Sequence, residues 1–276
     1  MEKKPASGKT QILYQRTLGR KTEVVGIGIH SGKKVTLTLH PAKADFGIQF
    51  KRTDIPNAPL LKAHAKTVGA TESNTTLGVG ENSIHTVEHL LAVFYGLGID
   101  NIYCEIDGPE IPIMDGSGAS FIFLLKETGI TTLLKPKNFI VILEPVKVNV
   151  GDKWAEFSPS PRLKIDSTVI FSHPMIKTQK YEFEFSCENF VRQIGRARTF
   201  GMLKDVDMLR RKGLIKGGSL ENAIVLDDFK VINREGLRFK DEFVRHKILD
   251  IIGDISLLGH EVAGKITTFK SGHNLH

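Results

Sequence analysis

His246, Asp250 and Asp254 follow one another at i, i+4 and i+8. Their neighbours Phe243, Val244, Ile248, Leu249, Ile251, Ile252, Ile255, Leu257 and Leu258 are apolar. A helix over residues 243–258 would set the imidazole and both carboxylates on one stripe. Burying unpaired polar groups is costly, so the stripe has two readings. It is either a narrow solvent-facing strip with a His–Asp hydrogen bond, or a metal site in which His246 and Asp250 ligate from adjacent turns while Asp254 orients a ligand from behind. A second apolar segment, residues 83–97, is predicted as a helix capped by Ser83 or Thr86 and closed by Gly96 and Gly98, with His85, Glu88 and His89 as its polar positions. Ala92 and Gly96 are small enough to let another element approach closely. The two segments together offer His89, His246 and Asp250, leaving one tetrahedral position for water, as in catalytic zinc sites. Cys104 and Cys187 are too few and too far apart for a structural cysteine-rich zinc site.

Zinc lowers the pKa of a bound water to about 7 and polarises a carbonyl. Glu88, next to His89, is placed to remove a proton as general base. Hydrolysis also needs a cation or donor for the oxyanion and leaving group. His273, in Phe269-Lys270-Ser271-Gly272-His273, follows a strand and a glycine, which suits a side chain presented into a cleft. His40, His64, His173, His260 and His276 are read as ordinary histidines without a role.

Chemistry drawn from segments this far apart requires a fold that brings them together. Alternation predicts a hairpin of strands 23–29 and 34–39 around His30-Ser31-Gly32, a further strand near 46–50 and one at 101–106. Residues 108–116 read as a loop and 117–128 as a helix. The second half repeats the pattern: strands 139–150, 153–158, 163–171 and 181–185, the helix 243–258, and a closing strand 265–269. The Val-x-His pattern occurs in both helices, and Gly32-Lys33 and Gly151-Asp152-Lys153 follow strands at similar places. The reading is α+β: two similar layered domains, each a sheet packed on helices, with the histidine faces turned toward each other across an inter-domain cleft. The expected division is a flexible N-terminal tail over 1–13, a first domain over 14–134 and a second over 138–276, the pattern breaking at 131–138. An inserted βαβ-like segment is expected at about 195–218, helical over 202–212.

The composition is that of a folded globular protein: 276 residues, 41% apolar and 25% charged, with a formal charge of +7 that suits an anionic ligand. Two cysteines exclude a disulfide-stapled scaffold and favour a reducing compartment. No run approaches the roughly 18 apolar residues of a membrane span, so a soluble, cytoplasmic protein is expected; a monomer is expected separately, with no sequence feature that sets oligomeric state. The alternative from another class is a basic nucleic-acid-binding α+β module without catalysis, with positive charge near the N-terminus and over 196–216. Against it, no aromatic residues interleave with the basic ones as stacking platforms, and no nucleic-acid partner is expected.

Consecutive motifs carry a resemblance over residues 15–273. They are Gln15-Arg16-Thr17-Leu18, Gly26-Ile27-Gly28-Ile29-His30-Ser31-Gly32-Lys33, Thr86-Val87-Glu88-His89-Leu90 and Glu110-Ile111-Pro112-Ile113-Met114-Asp115-Gly116-Ser117. Arg196-Ala197-Arg198-Thr199-Phe200-Gly201, Lys216-Gly217-Gly218-Ser219, Val244-Arg245-His246-Lys247 through Asp250 to Asp254, and the Phe269 to His273 motif complete the set. In this order they resemble the zinc-dependent UDP-3-O-acyl-N-acetylglucosamine deacetylases of lipid A synthesis. The resemblance implies removal of acetate from the 2-amino position of the UDP-linked acylglucosamine, the committed step of that synthesis. It implies one Zn2+ per chain, with iron possible in its place, held by His89, His246 and Asp250. Glu88 would be the general base, His273, supported by Asp254, the general acid, and Thr199 a donor to the oxyanion. Lys153, Lys247 and Lys270 would face the sugar and diphosphate, Lys247 close enough to count with the catalytic set, and Phe171 the uracil. The insert would form a passage for the acyl chain from Phe200, Met202, Val206, Leu214 and Gly218. Family members commonly continue with a further helical stretch after the Gly-His motif.

Overall fold

The computed structural model describes residues 12–276, so the expected tail lies outside the described residues except for Ile12 and Leu13. β1 (Tyr14–Leu18) leads into a five-stranded sheet of β2 (Thr22–Ile27), β3 (Lys34–Pro41), β4 (Ile48–Arg52), β5 (Leu60–Lys62) and β6 (Ile102–Ile106). Helix α1 (Glu88–Leu97) precedes β6, and α2 (Ala119–Thr128) follows it. β7 (Ile130–Pro136) returns antiparallel to β1. Next come β8 (Phe139–Val141), β9 (Val146–Val150), β10 (Lys153–Ser158), β11 (Lys164–Ile170) and β12 (Thr178–Glu184). After the single turn α3 (Cys187–Asn189), β13 (Phe200–Met202), α4 (Val206–Arg211) and β14 (Ile224–Leu226) form the insert. α5 (Glu242–Ser256), β15 (Glu261–Ala263) and β16 (Lys265–Phe269) close the chain.

The two large sheets share one topology. The first runs β2-β3-β6-β4-β5, and the second, read from its first hairpin, β9-β10-β16-β11-β12. In each, the last strand of the sheet, reached after the long helix, enters the centre, antiparallel to a strand of the first hairpin (β6 to β3, β16 to β10) and parallel to a strand of the second (β6 to β4, β16 to β11). The architecture is therefore α+β, built from two similar layered units. Leu37, Leu39 and Phe50 of the first sheet, Leu90 to Tyr95 and Leu97 of α1, Ile248, Leu249, Ile251, Ile252 and Ile255 of α5 and Ile165, Phe183 and Ile266 of the second sheet belong to one continuous apolar core. Among the described residues, no helix is long and apolar enough to cross a membrane.

Several elements differ from their sequence readings. α1 starts at Glu88, because Thr86 takes a φ of 58° that no helix accommodates; neither Ser83 nor Thr86 caps it, and His85 pairs with Glu110 in an extended bridge. Gly98 closes the helix at φ 68°. Gly96 has a different reason: a Cβ there would lie 2.1 Å from the Phe190 ring. The pattern break expected at 131–138 is mostly strand, since Ile130–Pro136 form β7, with Lys137 and Asn138 outside any element. The segment 139–150 is two strands in different sheets, β8 beside β15 and β9 beside β10. The insert is βαβ-like, with β13 parallel to β14. Its second strand, Ile224–Leu226, lies beyond residue 218.

Candidate active site

α1 and α5 pack against each other. The contact is closest at Gly253, where a Cβ would lie 2.1 Å from the Glu88 carbonyl oxygen. A glycine there lets the N-terminus of α1 sit against the middle of α5. The His89 and His246 rings consequently meet edge to face with centroids 4.9 Å apart. His89 Nε2 lies 3.6 Å and His246 Nε2 3.4 Å from the same Asp250 Oδ1. The solvent-facing reading of the α5 stripe fails here, because His246, Asp250 and Asp254 are only 1%, 2% and 8% exposed.

The protonation states of these three groups suit a cation. Burial, reinforced by His246, pulls the His89 imidazole down to about 3. Burial also lowers His246, against the pull of Asp250. Burial opposes ionisation of Asp250, but His246 and Lys247 outweigh it and hold the carboxyl well below the usual range. His246 Nδ1 donates to the Ala197 carbonyl at 3.0 Å, which leaves its Nε2 lone pair free to face Asp250. Among the described residues, Asp250 Oδ1 and His89 Nδ1 are buried without a hydrogen-bond partner, a costly state for polar atoms. Two neutral imidazoles and a carboxylate with an unspent oxygen, gathered within 4.8 Å, have the donor chemistry of a divalent-ion site. Lys247 Nζ holds the other Asp250 oxygen at 2.8 Å.

Glu88 opens α1 and is buried beside this cluster. Burial, with the charges of Asp250 and Asp254 acting against His273, lifts its carboxyl to about 7. His273 Nε2 stands 3.9 Å from Glu88 Oε1. Burial would lower this imidazole, but Asp254 beside it prevails and raises it to about 9. The His273 Nδ1–H donates to Asp254 Oδ2 at 2.8 Å. His276, dismissed on sequence, shares that oxygen at 2.8 Å and also bonds Ser271 Oγ at 2.8 Å. Thr75, which no motif flagged, donates its backbone N–H to Glu88 Oε2 at 2.9 Å and its hydroxyl to Asp254 Oδ1 at 2.5 Å.

Glu110 explains why three separate motifs accompany these residues. Its buried carboxylate accepts the N–H groups of His30 at 3.0 Å and Ser31 at 2.7 Å, and the Thr86 hydroxyl at 2.9 Å. That last bond holds a β-branched residue at φ 58° just before Glu88, a conformation costing about 1–3 kcal/mol. Gly28 is required beside it, since a Cβ would lie 2.3 Å from Glu110 Oε2.

Glu88, His89 and Thr199 line one end of a cavity of about 440 Å³ that runs into the insert. Phe200, Met202, Val206 and Gly218 line it, with Leu203, Leu209 and Ile215 supplying further apolar surface. Leu214 does not line it; that reading is corrected to its neighbour Ile215. Phe171 lies outside the cavity with its ring 5.5 Å from that of Phe200. Lys153 is exposed at the start of β10, and Lys270 pairs with Asp152 at 2.5 Å in the adjoining turn.

A family model described as UDP-3-O-acyl N-acetylglycosamine deacetylase (LpxC) matches residues 15–276. The chain is 49% identical over 265 residues to a protein of Citrifermentans bemidjiense named UDP-3-O-acyl-N-acetylglucosamine deacetylase, covering 96% of this chain and 87% of that one. A protein of the same name from a Geobacter strain is 49% identical with the same coverage. Another from Methylococcus capsulatus is 48% identical over 267 residues, covering 96% and 88%.

Proposed function

The chain belongs to the UDP-3-O-acyl-N-acetylglucosamine deacetylase family, and from that premise we propose how its residues divide the work. It is a hydrolase that removes acetate from the 2-acetamido group of the UDP-linked acylglucosamine in lipid A synthesis. Membership displaces the nucleic-acid alternative.

His89, His246 and Asp250 hold one divalent ion, zinc by donor set, with iron as the other candidate. When bound, such an ion supplies Lewis acidity toward water and the acetamide carbonyl. Glu88, raised to about 7, accepts a proton from the attacking water near neutral pH. His273, raised to about 9, is protonated there and donates to the departing amine, with Asp254 keeping it charged. Thr199 donates to the oxygen on which negative charge develops, and Lys247 adds positive charge beside Asp250. The acyl chain lies along Phe200, Met202, Val206 and Gly218. Lys153 and Lys270 meet the sugar and diphosphate, and Phe171 the uracil.

The observation that carries this assignment is the buried His89–His246–Asp250 cluster, flanked by Glu88 and His273 3.9 Å apart, at the mouth of an apolar cavity. We keep the reading of a cytoplasmic monomer, with which two free cysteines, Cys104 and Cys187, agree as to compartment. The division into 14–134 and 138–276 is supported by one five-stranded sheet falling on each side.

The test combines metal analysis with acetate release from the UDP-linked substrate. A chelator should abolish turnover and added zinc restore it, while His246→Ala should purify without metal. Full metal content in His246→Ala, or chelator-resistant turnover, would overturn the ligand assignment.

A further inference from the structure

Thr75 is the residue that touches both proposed proton carriers. It is 2% exposed, belongs to no helix or strand, and is not one of the residues given a role above. Its N–H donates to Glu88 Oε2 at 2.9 Å, its hydroxyl donates to Asp254 Oδ1 at 2.5 Å, and the same oxygen lies 3.2 Å from His273 Nδ1. The hydroxyl thus gives its proton to Asp254 and offers a lone pair to the imidazole N–H that Asp254 already accepts. We propose that Thr75 is a positioning residue that ties the general base to the His273–Asp254 pair and fixes the spacing between them.

The geometry leaves little else to do this. Glu88 and His273 face each other at 3.9 Å, too far for a hydrogen bond, so nothing direct sets their separation. Glu88 rides on α1, Asp254 on α5, and His273 on the segment after β16. Three elements therefore place two groups that must act on one substrate amide. Thr75 bonds to the first and second through separate atoms and contacts the third, so a shift in any one is resisted by the others. Asp254 Oδ2 is occupied by His273 and His276, so Oδ1 depends on Thr75 for its hydrogen bond. Removing the hydroxyl leaves that carboxylate oxygen buried and short of a donor, free to rotate and take the imidazole with it.

The proposal rests on the deacetylase reading and makes its own demand on three variants. Thr75→Val keeps shape and backbone N–H but loses the hydroxyl; Thr75→Ser keeps the hydroxyl; Asp254→Ala removes its acceptor. Thr75→Val should lower kcat by about 10- to 100-fold, the scale of one hydrogen bond to a charged group. KM and bound metal should stay near wild type. Thr75→Ser should recover most of the rate, and Thr75→Val should change the rate little in the Asp254→Ala background. An activity-independent readout is the His273 Nδ1 proton in histidine-labelled protein, which should be protected from exchange in wild type and Thr75→Ser and exposed in Thr75→Val. Unchanged kcat in Thr75→Val, a Thr75→Ser as impaired as Thr75→Val, or equal His273 protection in all three would overturn the proposal. A wild-type chain releasing no acetate would instead sink the functional reading, and the exchange measurement would still decide the role of Thr75.

Discussion

Replacing Glu88 by Gln should cost activity and return stability, and the two effects should separate with pH. The carboxyl is carried from its ordinary 4.5 to about 7, first by burial and then by Asp250 and Asp254, net of the opposing pull of His273. Ionising it in the folded protein is therefore penalised by about 3 kcal/mol, at about 1.4 kcal/mol per tenfold change in proton affinity. Below pH 4.5 the group is neutral folded or unfolded, so wild type bears no penalty. As pH rises toward 7 the unfolded chain releases the proton and the native state keeps it, so wild-type stability declines; above 7 the full penalty persists. Glu88→Gln has no proton to release. Its advantage over wild type should be near zero at acid pH, grow through the window from 4.5 to about 7, and level off at about 3 kcal/mol, equivalent to about 5 °C in Tm for a chain of this size. Thermal unfolding of both chelator-treated proteins across that range measures it. Turnover should fall by a factor of about 100 or more, the usual contribution of a general base, with metal content unchanged. A stability difference that does not vary with pH would refute the claim that Glu88 is held neutral by its surroundings.

Two further predictions concern the same neighbourhood. The kcat/KM profile should be bell-shaped, rising as Glu88 ionises near pH 7 and falling as His273 loses its proton near pH 9; in His273→Gln the alkaline limb should vanish, and a limb that survives would remove His273 from the general-acid role. Gly253→Ala places a methyl 2.1 Å from the Glu88 carbonyl oxygen, so the helices must part, with about 1–3 kcal/mol lost to overpacking and a lower kcat. Unchanged unfolding and kinetics would show that this contact does not set the base.

The parts of the fold readable in sequence were those whose burial repeats with a simple period. β11 alternates buried and more exposed residues, and α5 carries a nearly unbroken apolar run around its polar stripe. β7 has no such signal: none of its seven residues is buried, and it is a strand only because β1 lies alongside. The start of α1 was hidden differently. Ser83, Ile84, Thr86 and Val87 are buried like the helix behind them, and the left-handed backbone at Thr86 is sustained by Glu110, distant in sequence.

The candidate ligands were legible because helical spacing places residues without help from the rest of the chain. Thr75 and His276 act through turns whose course depends on tertiary contacts, so nothing in their local sequence marks them; Glu110 stands in a quoted motif, but its partners are visible only in the fold. Spacing also says nothing about charge state. Glu88, Asp250 and Asp254 are three buried carboxyls of similar chemistry, yet they cannot serve one role. Asp250 lies between His246 and Lys247, and Asp254 takes hydrogen bonds from Thr75, His273 and His276; both stay ionised against burial. Glu88 has one attractive neighbour, His273, and the other two carboxylates repel its charge, so it alone among the three is carried to about 7. Environments that push like groups apart in proton affinity assign the roles of ligand, support and base, and they arise only when α1 and α5 are brought together at Gly253.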